Sequence, residues 1–261
     1  MKIKAMYFSP TRTSEKVTMT IARKIAMKLK TSLESINITK NDDRNEVPKF
    51  SNNDVLILGL PVYAGRIPEI VEEYIHNLKG NMTKAIILAI YGNRDYDDAL
   101  LEMRNILDEN GFEVIAAGAF IGEHSFTEKV ATGRPDEKDL EEARAFGDSI
   151  AVKLEDIGNN AIESIEVKGN YPYKERGELP QVAPSTNDNC TECMDCTETC
   201  PTNAISKTNP KETDTAKCIL CCECIKICPE NAKFNADENI LKIAKMLEDN
   251  FSKRKDPELF I

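Results

Sequence analysis

Residues 190–229 contain one cysteine pattern twice: Cys190-x2-Cys193-x2-Cys196-x3-Cys200-Pro201, and 28 residues later Cys218-x2-Cys221-x2-Cys224-x3-Cys228-Pro229. A [4Fe–4S] cluster is held by four cysteine thiolates, and two-residue gaps let three successive cysteines bind around one side of it. The fourth thiolate must then come from a distant part of the chain. The duplicated pattern therefore predicts two [4Fe–4S] clusters.

In two-cluster proteins with this pattern, the cysteine before each proline binds the cluster of the other run. The predicted ligands of the first cluster are Cys190, Cys193, Cys196 and Cys228, and those of the second are Cys218, Cys221, Cys224 and Cys200. This exchange makes one folding unit of the two runs. The ninth cysteine, Cys222, falls outside the spacing. We expect it to be a small buried apolar side chain, with a redox-active thiol or a spare ligand as alternatives.

Zinc and disulfides are the competing explanations. Zinc would use two Cys-x2-Cys pairs and would leave the third cysteine of each run and the Cys-Pro steps unexplained. Disulfide frameworks are typical of small secreted chains, whereas this chain opens MKIKAMYFSP without an apolar signal core. Reduced, cluster-bound cysteines predict a cytoplasmic protein.

Length and composition limit the number of domains and the classes of partner. A chain of 261 residues corresponds to about two domains of about 150 residues, so a separate domain must precede the cysteine runs. The sequence is 41% hydrophobic and 30% charged, and no apolar run is long enough to predict a membrane span. The net charge of −10 disfavours nucleic acid and favours redox partner proteins with a basic surface. The oligomeric state is left open.

Residues 1–157 alternate apolar runs with helical stripes. Strands are predicted near residues 2–8, 33–38, 54–60, 84–91 and 112–121, and helices near 14–29, 69–78, 97–109 and 136–154. This alternation predicts a parallel, doubly wound α/β sheet. Ligands of such sheets bind beyond the carboxyl ends of the strands, where loops 9–14, 61–66 and 92–96 are expected.

Loop 9–14 is rich in hydroxyl groups and leads into a helix. The free N–H groups and the positive dipole end of a helix N-terminus attract phosphate. We expect Ser14 to be the N-cap of this helix. The loop is therefore a candidate phosphate site.

The three loops resemble those of flavodoxins. Loop 9–14 resembles the fingerprint that holds the FMN phosphate, loop 61–66 the second loop with Tyr63 as the aromatic beside the flavin ring, and loop 92–96 the third loop. The resemblance implies a five-stranded parallel sheet of order 2-1-3-4-5. It also implies FMN as cofactor, bound by Ser9, Thr11, Arg12, Thr13, Ser14, Pro61, Val62, Tyr63, Ala64, Gly65, Gly92, Asn93, Arg94 and Tyr96.

Arg12 departs from the flavodoxin pattern, which usually has glycine there. Arginine adopts a positive φ only at a cost, so we expect a differently shaped loop. Its guanidinium could bind the phosphate; the alternative is weaker flavin binding.

Together with the cysteine runs, PVYAGRIP (61–68) and YGNRDYDDAL (91–100) resemble clostridial and archaeal proteins that fuse a flavodoxin to a ferredoxin. The resemblance implies a flavodoxin-like domain (1–157), a connector (158–186), a small α+β ferredoxin domain with two clusters (187–235) and a C-terminal helix and tail (236–261). It implies an electron carrier. The alternative is an enzyme, a flavin-dependent reductase of a quinone, nitro compound or protein, fed through the clusters.

Two further expectations concern the flavin region. Val167, Tyr171 and Tyr173 are expected to anchor the connector, so that the ferredoxin domain docks near loops 61–66 and 92–96. His124 follows the fifth strand on the flavin side and is a candidate neighbour of the flavin or a substrate, although a purely structural role is the alternative.

Overall fold

The structure, a computed structural model, describes residues 1–158, 160–177 and 180–261. Its strands are β1 (Lys2–Tyr7), β2 (Ser32–Asn37), β3 (Asp54–Pro61), β4 (Thr83–Tyr91), β5 (Phe112–Ile121), β6 (Ser185–Thr186), β7 (Lys233–Phe234) and β8 (Glu258–Phe260). Its α-helices are α1 (Thr13–Lys28), α2 (Glu69–His76), α3 (Ala99–Glu109), α4 (Glu137–Ile157), α5 (Asp195–Thr199), α6 (Glu223–Lys226) and α7 (Glu238–Phe251), and Asn41–Arg44 forms a 3₁₀ turn.

The main sheet has the order β2-β1-β3-β4-β5-β8, and its first five strands are parallel. Helices cover both faces, so the central strands are largely apolar and buried; every residue of β4 is buried. Ile21 of α1 and Ile150 of α4 belong to the core on one face, while Val71 of α2 and Met103 of α3 belong to the core on the other. The predicted parallel order 2-1-3-4-5 and the flavodoxin-like α/β fold are confirmed.

The prediction of a five-stranded sheet is incomplete. The C-terminal end of the chain returns as β8 and pairs antiparallel with the edge of β5, with Leu259 opposite Gly118. Only a small residue fits at this point, because a Cβ on Gly118 would lie 2.7 Å from the ring of Phe120. A three-residue strand carries too little periodicity to be recognised in a sequence, which is why the end of the chain was expected to be a tail.

The cysteine-rich region is a small α+β unit. The β6–β7 pair is antiparallel, with Ser185 opposite Phe234, and each cysteine run contributes one short helix, α5 or α6. A left-handed residue precedes each helix, namely Met194 before α5 and Cys222 before α6. The duplicated sequence therefore repeats its backbone shape.

The described part of the connector is bound to the first domain. The Tyr173 hydroxyl accepts a hydrogen bond from Asn105 (2.8 Å), and the Arg66 guanidinium lies 4.6 Å from the Tyr173 ring centre. Val167 packs against the sheet core. Tyr171 is 78% exposed, so its predicted role as an anchor is wrong. Residues 159, 178 and 179 of the predicted connector lie outside the described residues.

No helix among the described residues combines the length and the apolar character that crossing a bilayer requires.

Candidate functional site

A cavity of about 350 Å³ lies beyond the carboxyl ends of β1, β3, β4 and β5. Four loops of the first domain, one cysteine run and helix α7 enclose it. The predicted residues that line it are Ser9, Thr11, Thr13, Ser14, Pro61, Val62, Tyr63, Ala64, Gly92 and Arg94. The predicted residues Arg12, Gly65, Asn93 and Tyr96 are not among the residues that line it.

The first loop turns sharply into α1. Arg12 occupies the N-cap position with φ 62°, and its side chain makes no capping hydrogen bond. The Ser9 hydroxyl instead accepts a hydrogen bond from the N–H of Glu15 (2.9 Å). The prediction that Ser14 caps the helix is therefore wrong. Arg12 therefore adopts a positive φ, which a residue with a side chain adopts only at a cost.

Ser14 lies in the first turn of α1 and faces the cavity. Its side chain is buried, and its Oγ has no hydrogen-bond partner among the described residues. A buried hydroxyl without a partner is costly, and the adjacent helix N-terminus favours an anion. These features fit the phosphate of FMN, which Ser14, Thr13 and the first-turn N–H groups would hold.

Tyr63 stands at the tip of the second loop. Its N–H donates to the carbonyl of Arg66 (2.9 Å), and the N–H of Arg66 donates back to Tyr63 (3.1 Å), which closes a tight turn. Gly65 has φ 90°, and a Cβ there would lie 2.2 Å from Asp97; glycine is therefore required. The turn presents the Tyr63 side chain to the cavity, where an aromatic ring can pack against a flavin.

Burial raises the pKa of Tyr63 well above its ordinary value, and negative charge on the nearby Cys221 sulfur acts in the same direction. Tyr63 lines the cavity together with Ile219 and Leu220 of the second cysteine run, and a neighbouring pocket together with Cys218. Tyr63 therefore lies between the two candidate cofactor sites.

The third loop has two functions in the structure. Gly92 and Arg94 line the cavity. Asn93, in a left-handed conformation, turns away, and its Nδ2 donates to the carbonyl oxygens of Phe251 and Lys253. Tyr96 is buried and donates to Glu258 of β8 (3.0 Å). The side chains of Asn93 and Tyr96 thus hold the C-terminal end of the chain.

Residues 122–126, which follow β5, form a fourth loop that lines the cavity. Of this loop, only His124 is a candidate from the sequence. The Nδ1 atom of His124 accepts the N–H of Phe126 (3.1 Å), which leaves the proton of the neutral ring on Nε2. Burial lowers the pKa of His124 to about 4, and the positive charges of Lys226 and Arg94 act in the same direction. His124 is thus neutral at pH 7. The rule that parallel sheets bind ligands beyond their strand ends could have identified this loop.

The second cysteine run docks on the first domain. Ile219 packs against the sheet core, and both Ile219 and Leu220 line the cavity. Lys226 of α6 forms a salt bridge with Glu123 of the fourth loop. Docking next to loops 61–66 and 92–96 agrees with the expectation from the sequence.

The eight predicted cluster ligands line two further cavities. Cys190, Cys193, Cys196 and Cys228 line one, and Cys200, Cys218, Cys221 and Cys224 line the other. Cys228 thus lies with the first three cysteines of the first run, and Cys200 lies with those of the second. No three His, Cys, Asp or Glu side chains in the described ranges are arranged to hold a single metal ion.

The donor chemistry of these cavities suits clusters. The N–H of Ala204 donates to Cys200 Sγ (3.3 Å), and that of Ala232 to Cys228 Sγ (3.2 Å), at equivalent positions of the two runs. Hydrogen bonds to cluster sulfurs tune reduction potential. Burial raises the pKa of the Cys221 and Cys224 thiols, so their thiolates need a bound cation to form at pH 7.

Cys222 is 1% exposed. Its thiol donates weakly to the carbonyl of Leu220 (3.5 Å), and burial raises its pKa to about 12. It also lines the second cysteine cavity, so the sulfur is near the ligands without occupying a ligand position in the pattern.

Helix α7 forms the remaining wall of the cavity beyond the strand ends, through Ile240, Ile243, Met246 and Leu247. The apolar stripe of this helix is visible in the sequence, but its target is not. Periodicity shows that a helix has a face to bury and gives no information on what will cover it.

Residues 12–124 match the family model of a flavodoxin domain, and residues 186–206 match that of a 4Fe-4S binding domain. The second match covers the first cysteine run. The two matches in this order are consistent with a flavodoxin/ferredoxin fusion. No curated protein matches the chain.

Solved structures similar to the chain include three flavoproteins. A flavodoxin from the domain Archaea is 17% identical (TM-score 0.43) and covers 59% of this chain and 99% of its own. Flavodoxin 1 from Bacillus cereus is 19% identical (TM-score 0.43) and covers 59% of this chain and 98% of its own. An NADH:FMN oxidoreductase in its apo form is 16% identical (TM-score 0.46) and covers 62% of this chain and 94% of its own.

Proposed function

Because the chain joins a flavodoxin domain to a 4Fe-4S ferredoxin-type domain, an FMN- and iron–sulfur-based electron-transfer function is supported; we propose that it is an electron carrier with one FMN and two [4Fe–4S] clusters. When bound, FMN exchanges one or two electrons together with protons and each cluster exchanges one, while the protein sets potential and orientation. The proposed ligands are Cys190, Cys193, Cys196 and Cys228 for one cluster and Cys200, Cys218, Cys221 and Cys224 for the other.

One observation carries the proposal. Ile219, which lies between Cys218 and Cys221, lines both the cavity of the second cysteine run and the cavity beyond the strand ends. Leu220, the other residue of this gap, lines the latter. The second cluster and the flavin would therefore share a wall one residue thick. Electrons would pass between a partner protein, the first cluster, the second cluster and FMN, in either direction.

The first-run cavity is the proposed contact point for the partner. Cys193 is exposed there, as are the acidic side chains of Glu192 and Asp195. A redox protein with a basic surface is complementary to this charge. The proposal includes a cytoplasmic location, since cluster thiolates need a reducing compartment.

FMN is proposed in preference to FAD, because Ser14 and the α1 N-terminus form a single anion site next to the ring-sized cavity. Ser9, Thr11, Thr13 and Ser14 would surround the phosphate. Tyr63, Gly92 and Arg94 would line the ring.

The test is anaerobic purification followed by cofactor analysis and rapid mixing. We expect about eight iron and eight sulfide per chain and one FMN. A reduced ferredoxin should reduce the clusters, and electrons should then reach FMN at a rate independent of protein concentration. Stoichiometric zinc, about four iron, or FAD recovered after reconstitution with both flavins would contradict the cofactor assignment. A rate proportional to protein concentration would contradict transfer within one molecule, and sustained turnover with a quinone or nitro compound would favour a reductase.

A further inference from the structure

Helix α7 lies over the cavity beyond the strand ends, on the side opposite the sheet. Residues 237–261, which contain α7 and β8, are called the cover below. Ile240 and Leu247 are 2% and 3% exposed and line the cavity; Ile243 and Met246 line it closer to solvent. Leu241 lies on the same helix but points to an outer groove instead. The helix therefore has one face towards the cavity and one towards solvent.

The cover is fastened by the loop that lines the cavity. Asn93, between the lining residues Gly92 and Arg94, donates its amide to the carbonyls of Phe251 (2.5 Å) and Lys253 (2.8 Å), where α7 ends. The ammonium group of Lys255 then donates to the carbonyl of Arg94 (2.6 Å). Loop 92–96 is therefore hydrogen-bonded to the end of α7 and to the residues that follow it.

Further contacts fasten the rest of the segment to the first domain. Glu248 of α7 accepts hydrogen bonds from Thr127 (2.6 Å) and Lys129 (3.2 Å) in the stretch that follows the fourth loop. Arg254 pairs with Asp136 at the N-cap of α4, and β8 completes the sheet. The segment thus runs from the ferredoxin domain across the cavity and ends as a strand of the flavodoxin sheet.

The space under this cover suits a single ligand. Its volume of about 350 Å³ is near the lower end of the range of about 300–1,000 Å³ for small-molecule sites. A second molecule stacked on a bound flavin would have to displace the side chains of α7.

We propose that residues 237–261 are a cover of the flavin cavity, coupled to FMN binding through Asn93, that keeps small-molecule acceptors in solution away from the flavin. This inference rests on the proposed function, because it concerns the same cavity. Binding of FMN against loop 92–96 stabilises the closed cover through Asn93, and by reciprocity the closed cover tightens FMN binding. Electrons then enter and leave by way of the ferredoxin domain.

The test compares two lysine variants of the full chain, Ile243→Lys and Leu241→Lys. Both add the same charge to the same helix, but only Ile243 lines the cavity. We expect Ile243→Lys to release FMN about tenfold faster after dilution, as judged from the fluorescence of free flavin, and to reduce a water-soluble quinone faster once photoreduced; the tenfold figure lies within the usual range of coupling. Leu241→Lys should behave like the wild type.

Hydrogen exchange of residues 238–260 supplies a second measurement that does not depend on activity. Saturating FMN should slow exchange there about tenfold, and Asn93→Gly, which keeps the positive φ accessible, should abolish this effect. Equal hydrogen exchange with and without FMN, or equal FMN release from both lysine variants, would overturn the proposed cover. Either result would leave the proposed electron-carrier function unaffected. Failure of the wild type to bind FMN would overturn both.

Discussion

The two cysteine runs have the same spacing and different surroundings. In the second run, Ile219 and Leu220 fill the first two-residue gap and line the proposed flavin cavity. In the first run, the same gap holds Thr191 and Glu192, and both are exposed. The cysteine spacing specifies what can be bound, whereas the residues inside the gaps specify which run docks on the flavodoxin domain.

The same difference recurs two residues after the third cysteine of each run. Lys226 of the second run pairs with Glu123 of the flavodoxin domain, while its counterpart Glu198 in the first run is exposed. Apolar and basic residues face inward, and polar and acidic residues face outward. The second run thus faces the flavodoxin domain, whereas the equivalent side chains of the first run face solvent.

The largest effect is expected from removing one ligand of each run. Cys193→Ser and Cys221→Ser should each lower iron from about eight to about four per chain, since each removes one thiolate of a four-ligand set. Only Cys221→Ser should also abolish the concentration-independent transfer to FMN, because it affects the run beside the cavity. Iron analysis and rapid mixing measure the two effects.

Cys222→Ser is the control for this experiment, since it alters a neighbouring sulfur outside the pattern. It should keep both clusters. Loss of iron in this variant would show that the assigned register of the second run is wrong, and equal transfer in the two ligand variants would show that the runs are equivalent.

Exchanging the gap residues should undock the second run. Ile219→Thr with Leu220→Glu gives it the gap of the first run and removes two apolar contacts, each contributing about 1.5–3 kcal/mol when fully buried. Backbone strain should not change, because Leu220 (φ 54°) and Glu192 (φ 58°) share a left-handed conformation. Small-angle scattering should report a more extended molecule, and transfer to FMN should become dependent on protein concentration.

The reciprocal change, Thr191→Ile with Glu192→Leu, is the matched control on the exposed run. It should leave the scattering profile and the transfer step unchanged at low protein concentration. An undocked profile in this control, or a compact one in the exchanged second run, would mean that the gap residues do not decide docking.

A smaller effect is expected at Tyr63, which lies between the cavity and the second run. Tyr63→Ala should weaken FMN binding by about 1 kcal/mol, the typical contribution of an aromatic pair beyond its buried area. Tyr63→Phe keeps the ring and should bind FMN as the wild type does. Titration of the apoprotein with FMN measures both variants; equal weakening would assign the effect to the hydroxyl and not to the ring.

Most of the sheet was predictable because its strands are buried on both faces and therefore read as continuous apolar runs, as in Asp54–Pro61 and Thr83–Tyr91. Strand β8 was not, because three residues at an edge carry no usable period. The run that docks was predictable in principle: Ile219 and Leu220 are apolar at positions where the first run has Thr191 and Glu192.

The site was predictable where local chemistry decides it and not where distant segments meet. Hydroxyls before a helix and an aromatic after a strand identified Ser14 and Tyr63. Asn93 could be placed in the right loop, but its partners lie some 160 residues away. The wall that α7 forms depends on the path of the chain after the ferredoxin domain, which no local pattern specifies.

The smallest effect is expected from the Lys226–Glu123 salt bridge, whose side chains are 24% and 22% exposed. Exposed and half-exposed pairs contribute about 0.2–1 kcal/mol, so Glu123→Gln should weaken docking by no more than that. Glu198→Gln, at the counterpart of Lys226 in the exposed run, is the control and should have no effect on docking.

The pH dependence of docking tests the contribution of the same salt bridge. Burial alone would raise the pKa of Glu123, but hydrogen bonds from Lys226 and the N–H of Gly133 lower it overall. A carboxylate with a lowered pKa stabilises the docked state fully above its ordinary pKa of about 4.3, and this stabilisation is lost as the pH falls through the lowered value. Scattering profiles of the wild type should therefore show weaker docking in acid, and Glu123→Gln should remove that part of the change. An identical acid dependence in both proteins would assign the docking energy to Ile219 and Leu220 alone.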